Sequence, residues 1–192
     1  ADILFSKDRI EQGKNFMNKL WNSARFVIMN LDQNPKDIED ILNQINKTDR
    51  WILSKLNKTI LSVNNAYDQY KLNEVIKLVY DFVWSDFCDW YIEFSKTRFY
   101  GDNPKDKFIA SSVSIHILKT ILKLLHPYTP YITEEIWSFI STEEEGLLIV
   151  SNWPIVDKNK ISYKVEKEIQ IIMNIISAIR TIKTNLNISP SK

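Results

Sequence analysis

Two histidines, one cysteine and a pair of adjacent glutamates are the side chains of this 192-residue chain best suited to acid–base or nucleophilic chemistry. His116 sits inside an apolar helical run. His126 precedes Pro127 at a helix end, where a histidine serves the terminal carbonyls or its neighbours around the turn. A structural role outranks a general-base role for both. Cys88 lies between Asp86 and Asp89, and negative neighbours raise a thiol pKa, so it reads as a small buried residue rather than a nucleophile. Glu134-Glu135 reads as negative charge in the first turn of a helix. No nucleophile, base and orienting group come together, so no catalytic residue is expected. The soft ligands are too few for a zinc cluster, and no metal site is expected.

Binding chemistry is better represented. Along the first helical pattern, Ile10, Met17, Leu20, Trp21, Ala24, Val27, Ile28 and Leu31 recur at three- and four-residue steps. The apolar stripe centres on Met17, Ala24 and Leu31, which puts Asn15, Lys19, Asn22 and Phe26 on the opposite side, flanked by Asn18 and Arg25. Phe26 is the odd member, a large aromatic on a basic, polar face. Two readings stand. Either the helix is sandwiched and Phe26 packs on a second neighbour, or Phe26 with Lys19, Asn22 and Arg25 forms a platform for unstacked RNA bases.

The elements that must position these residues are helices. Residues 7–31 form the first, with Ser6 as N-cap, and Asn34-Pro35 breaks it. A loop with one short helical turn covers 35–47. Thr48-Asp49 opens a second long helix. Residues 72–94 form a third, so aromatic that more than one side is expected to be buried. Gly101-Asp102-Asn103-Pro104 is a turn, followed by a helix over 105–125 and a short one over 130–140. Residues 142–154 read as a loop with a short extended segment. A last helix, 163–186, carries an aliphatic seam of Val165, Ile169, Ile172, Ile176, Ile179 and Leu186 that needs a neighbour. The fold class is therefore all-α, a helical bundle over 1–140 with a helical connector over 141–192.

Composition excludes several functions. Three glycines, at 13, 101 and 146, cannot write a phosphate-binding loop or a dinucleotide fingerprint. One cysteine excludes an internal disulfide framework and fits a reducing compartment. No apolar run approaches a membrane span, and the N-terminus lacks the features of a signal peptide. The net charge of +1 is not the field of a free-standing nucleic-acid binder, so any RNA contact is local. The 28 Ile, 20 Lys and 17 Asn against 5 Arg point to an A/T-rich genome. The initial Ala and the Ile-Ser-Pro-Ser-Lys ending read as a piece cut from a longer protein.

Residues 15–26, Asn-Phe-Met-Asn-Lys-Leu-Trp-Asn-Ser-Ala-Arg-Phe, resemble the opening helix of the anticodon-binding domain of class I aminoacyl-tRNA synthetases, in the branch charging valine, isoleucine and leucine. Residues 49–56, Asp-Arg-Trp-Ile-Leu-Ser-Lys-Leu, are similar to that domain's next helix. Residues 82–93 look like the valine enzymes, since isoleucine enzymes usually have serine-asparagine at Cys88-Asp89. The run around His126-Pro127-Tyr128-Thr129-Pro130 and the ending Asn187-Ile188-Ser189-Pro190-Ser191-Lys192 also resemble valyl-tRNA synthetases. Lys14, Ser23 and Thr129 depart from the family's usual arginine, alanine and methionine. A lysine loses arginine's planar fork, which weakens any expectation of a contact at Lys14.

The resemblance implies a part of a cytoplasmic synthetase that attaches valine to its tRNA using ATP and Mg. The signatures H-I-G-H and K-M-S-K-S of that chemistry do not occur in the chain, so the fragment is expected to carry tRNA binding, without catalysis or cofactor. It implies anticodon contacts at Lys19, Arg25 and Phe26, on the face singled out by periodicity, and more weakly at Arg9. A further contact falls near Cys88-Asp89 without a residue assignment. The implied partners are the valine tRNA and the remaining domains of the synthetase, with no membrane. The isoleucine enzyme's equivalent domain, and a helical interaction module without RNA, are the alternatives.

Overall fold

A computed structural model describes residues 6–32 and 35–188. The first helix, α1 (Lys7–Met29), ends where the Asn30 side chain donates to the Phe26 carbonyl. Ser6 holds its N-cap position but makes no side-chain cap bond. One helical turn, α2 (Ile38–Ile41), leads to α3 (Lys47–Asp68). The cap of α3 is Asn46, two residues before the Thr48 of the Thr48-Asp49 expectation. Asn46 and Asp49 bond each other's backbone N–H groups, a capping box.

The third pattern forms one continuous rod. It runs through α4 (Leu72–Asp81), a π-helical stretch (Phe82–Tyr91) and α5 (Ile92–Phe99). A π-helix bonds i to i+5, a wider turn than the α-helix, which brings residues five apart closer to one face. Phe82, Val83, Phe87, Cys88 and Tyr91 are all buried, so this rod does pack on more than one side.

At the centre is α6 (Pro104–Leu125), capped by Asn103 with proline in its first turn. Thirteen of its residues are buried. Two of them, Ser111 and Ser112, accept the backbone N–H groups of Asp32 and Lys36, which ties the first loop to the core. By length and apolarity α6 could cross a membrane, against the expectation that no run approaches a span. Its best window is 78% buried inside the bundle, as a core helix is.

The short helix α7 (Pro130–Ser138) covers the far end. Glu134 lies beyond its first turn, which holds no acid. Its carboxylate instead accepts the Leu148 N–H. His126 bonds Thr133 through Nδ1 at 2.9 Å, the role expected around that turn.

The expected extended segment is a 3-10 turn, Leu148–Val150, and no strand occurs among the described residues. Side chains rather than strand pairing fasten this connector. Trp137 donates to the Gly146 carbonyl, Asn57 accepts from Asp157 N–H, and Ser54 accepts from Ser162 N–H.

The last helix, α8 (Tyr163–Asn185), carries isoleucines on two faces, so the single seam read from the sequence divides. Ile169 and Met173 are buried in the common core, with Val165 and Ile176 half-buried beside them. Ile171, Ile172, Ile175, Ile179, Ile182 and Leu186 point outward and are 44–63% exposed.

Candidate nucleic-acid interface

Tertiary packing rotates α1 relative to its sequence pattern. The buried side is Phe16, Leu20, Ser23, Ala24 and Val27, turned toward Ser23 from the expected centre at Met17 and Ala24. The cause is the aromatic rod, which covers the flank that periodicity alone leaves open. Contacts ascend together along both helices. Phe16 stacks on Tyr80 with centroids 4.8 Å apart, Lys19 meets Trp84 and Asp89, Ser23 donates to the Cys88 sulfur at 3.1 Å, and Phe26 meets Phe99 and Tyr100.

Phe26 is consequently not on an open face. It is half-buried, edge-on to Phe99 at 5.5 Å and to Tyr100 at 6.4 Å. Lys19 is engaged as well: Nζ lies 2.6 Å from Asp89 Oδ1 and 3.7 Å from the Trp84 ring centroid. Asn22 is exposed between them. Arg25 is exposed toward the other border of the helix, beside a small apolar pocket of about 160 Å³ shared with Trp21, Met29 and Phe139. Arg9 is exposed ten residues before Lys19, about 15 Å along the axis at 1.5 Å per residue. The structure therefore gathers Lys19, Asn22 and Phe26 along one edge, sets Arg25 around the helix from them, and leaves Arg9 apart.

Trp84, Asp89 and Tyr100 complete this edge. Trp84 and Asp89 are five apart, and in an α-helix that spacing turns two side chains away from each other. The π-helical stretch aligns both on Lys19. Behind them the Cys88 thiol is pushed up to about 11 by burial, with the Ser23 hydrogen bond and the Lys19 charge opposing. It is therefore an inert thiol, as the sequence indicates, although burial rather than the flanking carboxylates is the main cause.

The edge is held by a buried polar anchor beneath α5. Asp49 is fully buried and accepts from Arg98 Nη1 at 2.7 and 2.9 Å, from the Tyr91 hydroxyl at 2.9 Å, and from Asn46 N–H at 3.1 Å. These bonds join the start of α3 to the helix that presents Phe99 and Tyr100.

A larger cleft of about 870 Å³ lies between α6 and the connector, with His116 in its wall. Its Lys119 and Lys160 are already paired with Glu145 and Glu39. Among the described residues no group of three or more His, Cys, Asp or Glu is placed to hold a metal ion.

A family model for the anticodon-binding domain of tRNA ligase matches residues 49–192. The chain belongs to this family. Valine–tRNA ligases of Listeria innocua, Clostridium perfringens and Clostridium tetani are each 40% identical to it over 191 residues, covering 100% of the chain. The chain spans 22% of the length of these relatives. The all-α architecture is the one expected of an anticodon-binding domain, and the edge between α1 and the aromatic rod is its candidate RNA surface.

Proposed function

We propose that this chain is the tRNA-recognition part of a cytoplasmic valine–tRNA ligase, and that α1 with the adjoining rod receives the unstacked anticodon of valine tRNA. The observation that carries this reading is the edge itself. A lysine, an asparagine and two aromatic rings, Lys19, Asn22, Phe26 and Tyr100, lie together on one border of α1, with the exposed Arg25 on the other. Aromatic faces, amides and cations are the groups that hold splayed RNA bases. A near-neutral chain cannot attract RNA by bulk charge, so recognition depends on this local set. Arg9 is a peripheral contact, reaching the flanking backbone.

The full-length protein attaches valine to tRNA with ATP and Mg. The nucleotide belongs with the remaining domains: Gly13 lies inside α1, Gly146 turns the connector at φ +61°, and Gly101 follows α5 with the Thr97 carbonyl 2.8 Å from where a Cβ would stand, so none of the three glycines opens a helix as a phosphate loop does. Residues 1–140 serve as the RNA-binding bundle, and 141–192 link it to the rest of the synthetase. The outward aliphatic face of α8 supports that second partnership.

The test is binding of tRNA transcripts differing only in the anticodon. The full-length enzyme should prefer the valine anticodon at least tenfold over the isoleucine anticodon. Variants at Lys19, Arg25 and Phe26 should reduce that preference. Equal affinity for both transcripts, untouched by these substitutions, would make the bundle an interaction module.

A further inference from the structure

The central helix is closed on nearly every side. From Ile109 to Leu125 all but four residues of α6 are buried. The four, His116, Lys119, Thr120 and Lys123, follow i, i+3, i+4, i+7 spacing along one face. That face is a wall of the cleft of about 870 Å³ between α6 and the connector. Two of its side chains have bonding capacity to spare. Glu145 takes the Lys119 ammonium at 2.6 and 2.7 Å, but Lys123 has no carboxylate partner among the described residues. Lys123 is half-buried, with Nζ 5.6 Å from the Trp137 ring centroid. Burial lowers its pKa against the pull of Glu145, and Lys119 adds to the lowering. A partly desolvated charge is normally paired, because leaving it alone is costly. The His116 ring makes no hydrogen bond among the described residues. Burial lowers its pKa to about 4, so at pH 7 it offers one N–H and one acceptor nitrogen. Apolar side chains stand where the cleft opens: Phe139, Trp153 and Ile155 line it and are 38–88% exposed.

We propose that this cleft binds a small organic carboxylate, with its negative group on Lys123, its apolar body against the cleft walls and a polar atom on the His116 ring. No lining residue belongs to the edge read as the RNA surface, so this site stands apart from that reading. Charge selects the ligand class. Four carboxylates already stand in the wall, Asp32, Asp37, Glu145 and Asp157, and they repel a multiply charged anion. One negative group suits one ammonium without a counterion. Lys123 and His116 are seven residues apart, about 10 Å along the axis, so a ligand that spans them has a body as well as a charge. The volume lies in the range of roughly 300–1,000 Å³ typical of small-molecule sites, and apolar walls with a few convergent polar groups are their usual make-up. Trp153 is fixed for such contact. Its Nε1–H donates to Asn64 Oδ1 at 2.9 Å, and its ring lies T-shaped to Tyr67 at 5.6 Å.

The experiment is amine footprinting of the full-length enzyme at pH 8, with acetylation of each lysine read by peptide mass spectrometry and phenylacetate as the probe. Only the neutral amine is acetylated, so a carboxylate that holds Lys123 as its ammonium protects it. Phenylacetate should slow acetylation of Lys123 at least fivefold, with half the effect at about 1 mM, and leave the exposed Lys105 unchanged. Benzyl alcohol, which lacks the charge, and acetate, which lacks the ring, should each need at least tenfold higher concentrations. Inorganic phosphate should protect less well than phenylacetate. Lys123→Met keeps a stem over Trp137 and removes the charge. In equilibrium dialysis it should bind one phenylacetate fewer per chain than the wild type. Lys123 acetylation untouched by phenylacetate at about 20 mM would overturn the site, as would equal stoichiometry for Lys123→Met and wild type. Acetate protecting as well as phenylacetate would reduce the cleft to a lone cation and overturn the organic ligand. Phosphate protecting better than phenylacetate would overturn the carboxylate.

Discussion

Replacing Phe26 by alanine removes a ring that α1 holds half-buried, edge-on to Phe99 at 5.5 Å and Tyr100 at 6.4 Å. A fully buried phenylalanine costs about 3–5 kcal/mol on truncation, so half-burial with two aromatic edges gives about 2 kcal/mol. For a chain of this length that lowers Tm by about 4–8 °C. If the open edge of the ring also stacks on a base, the same change weakens tRNA binding by about 1–3 kcal/mol, after correction for the unfolded fraction. Phe26→Leu separates the two effects. It keeps most of the buried volume, so stability falls by less than about 1.5 kcal/mol, but it removes the aromatic face. Urea denaturation and tRNA titration of both variants provide the measurements. Stability within about 0.5 kcal/mol of wild type for Phe26→Ala would refute the packing. Leucine binding tRNA as tightly as phenylalanine would refute the stack.

Three further outcomes follow from buried groups. Asp49→Ala strands Arg98 and the Tyr91 hydroxyl in the core and should destabilise the chain by about 3–5 kcal/mol in chemical denaturation, whereas exposed-pair variants such as Lys96→Ala should stay below about 1 kcal/mol. Burial, helped by the positive charge of Lys160, lowers the His116 pKa to about 4, so between pH 6.5 and 4 the unfolded chain binds a proton that the folded chain does not. Stability should be full above pH 6.5 and lost as pH falls toward 4, by at most about 3 kcal/mol, and His116→Gln should flatten that slope in pH-dependent melts. With its thiol pushed up to about 11, Cys88 should react with a thiol reagent at pH 8 at least a hundredfold more slowly in the folded than in the urea-unfolded chain; equal rates would mean that it is accessible.

Periodicity, caps and breakers determine much of this molecule locally. The order of the long helices, the burial of Cys88 and the role of His126 are legible in residue types and spacing, because helix formation and its termination are set within a few residues. Other features depend on what packs against each face. Periodicity put Phe26 opposite the apolar stripe, but an aromatic rod from far along the chain covers that flank. Glu134 looked like a first-turn acid until Leu148 supplied an N–H for it. Asp49 looked like a helix opener, and only the arrival of Arg98 and Tyr91 makes it an anchor. The α8 seam read as one stripe because isoleucine on a buried face and isoleucine on an outward face are the same letter. Most of all, Trp84 and Asp89 converge on Lys19 only because the rod adopts wider, π-helical turns there. No local pattern announces that widening. It belongs to a helix buried on several sides, where tertiary packing overrides the helical period that the sequence alone would set.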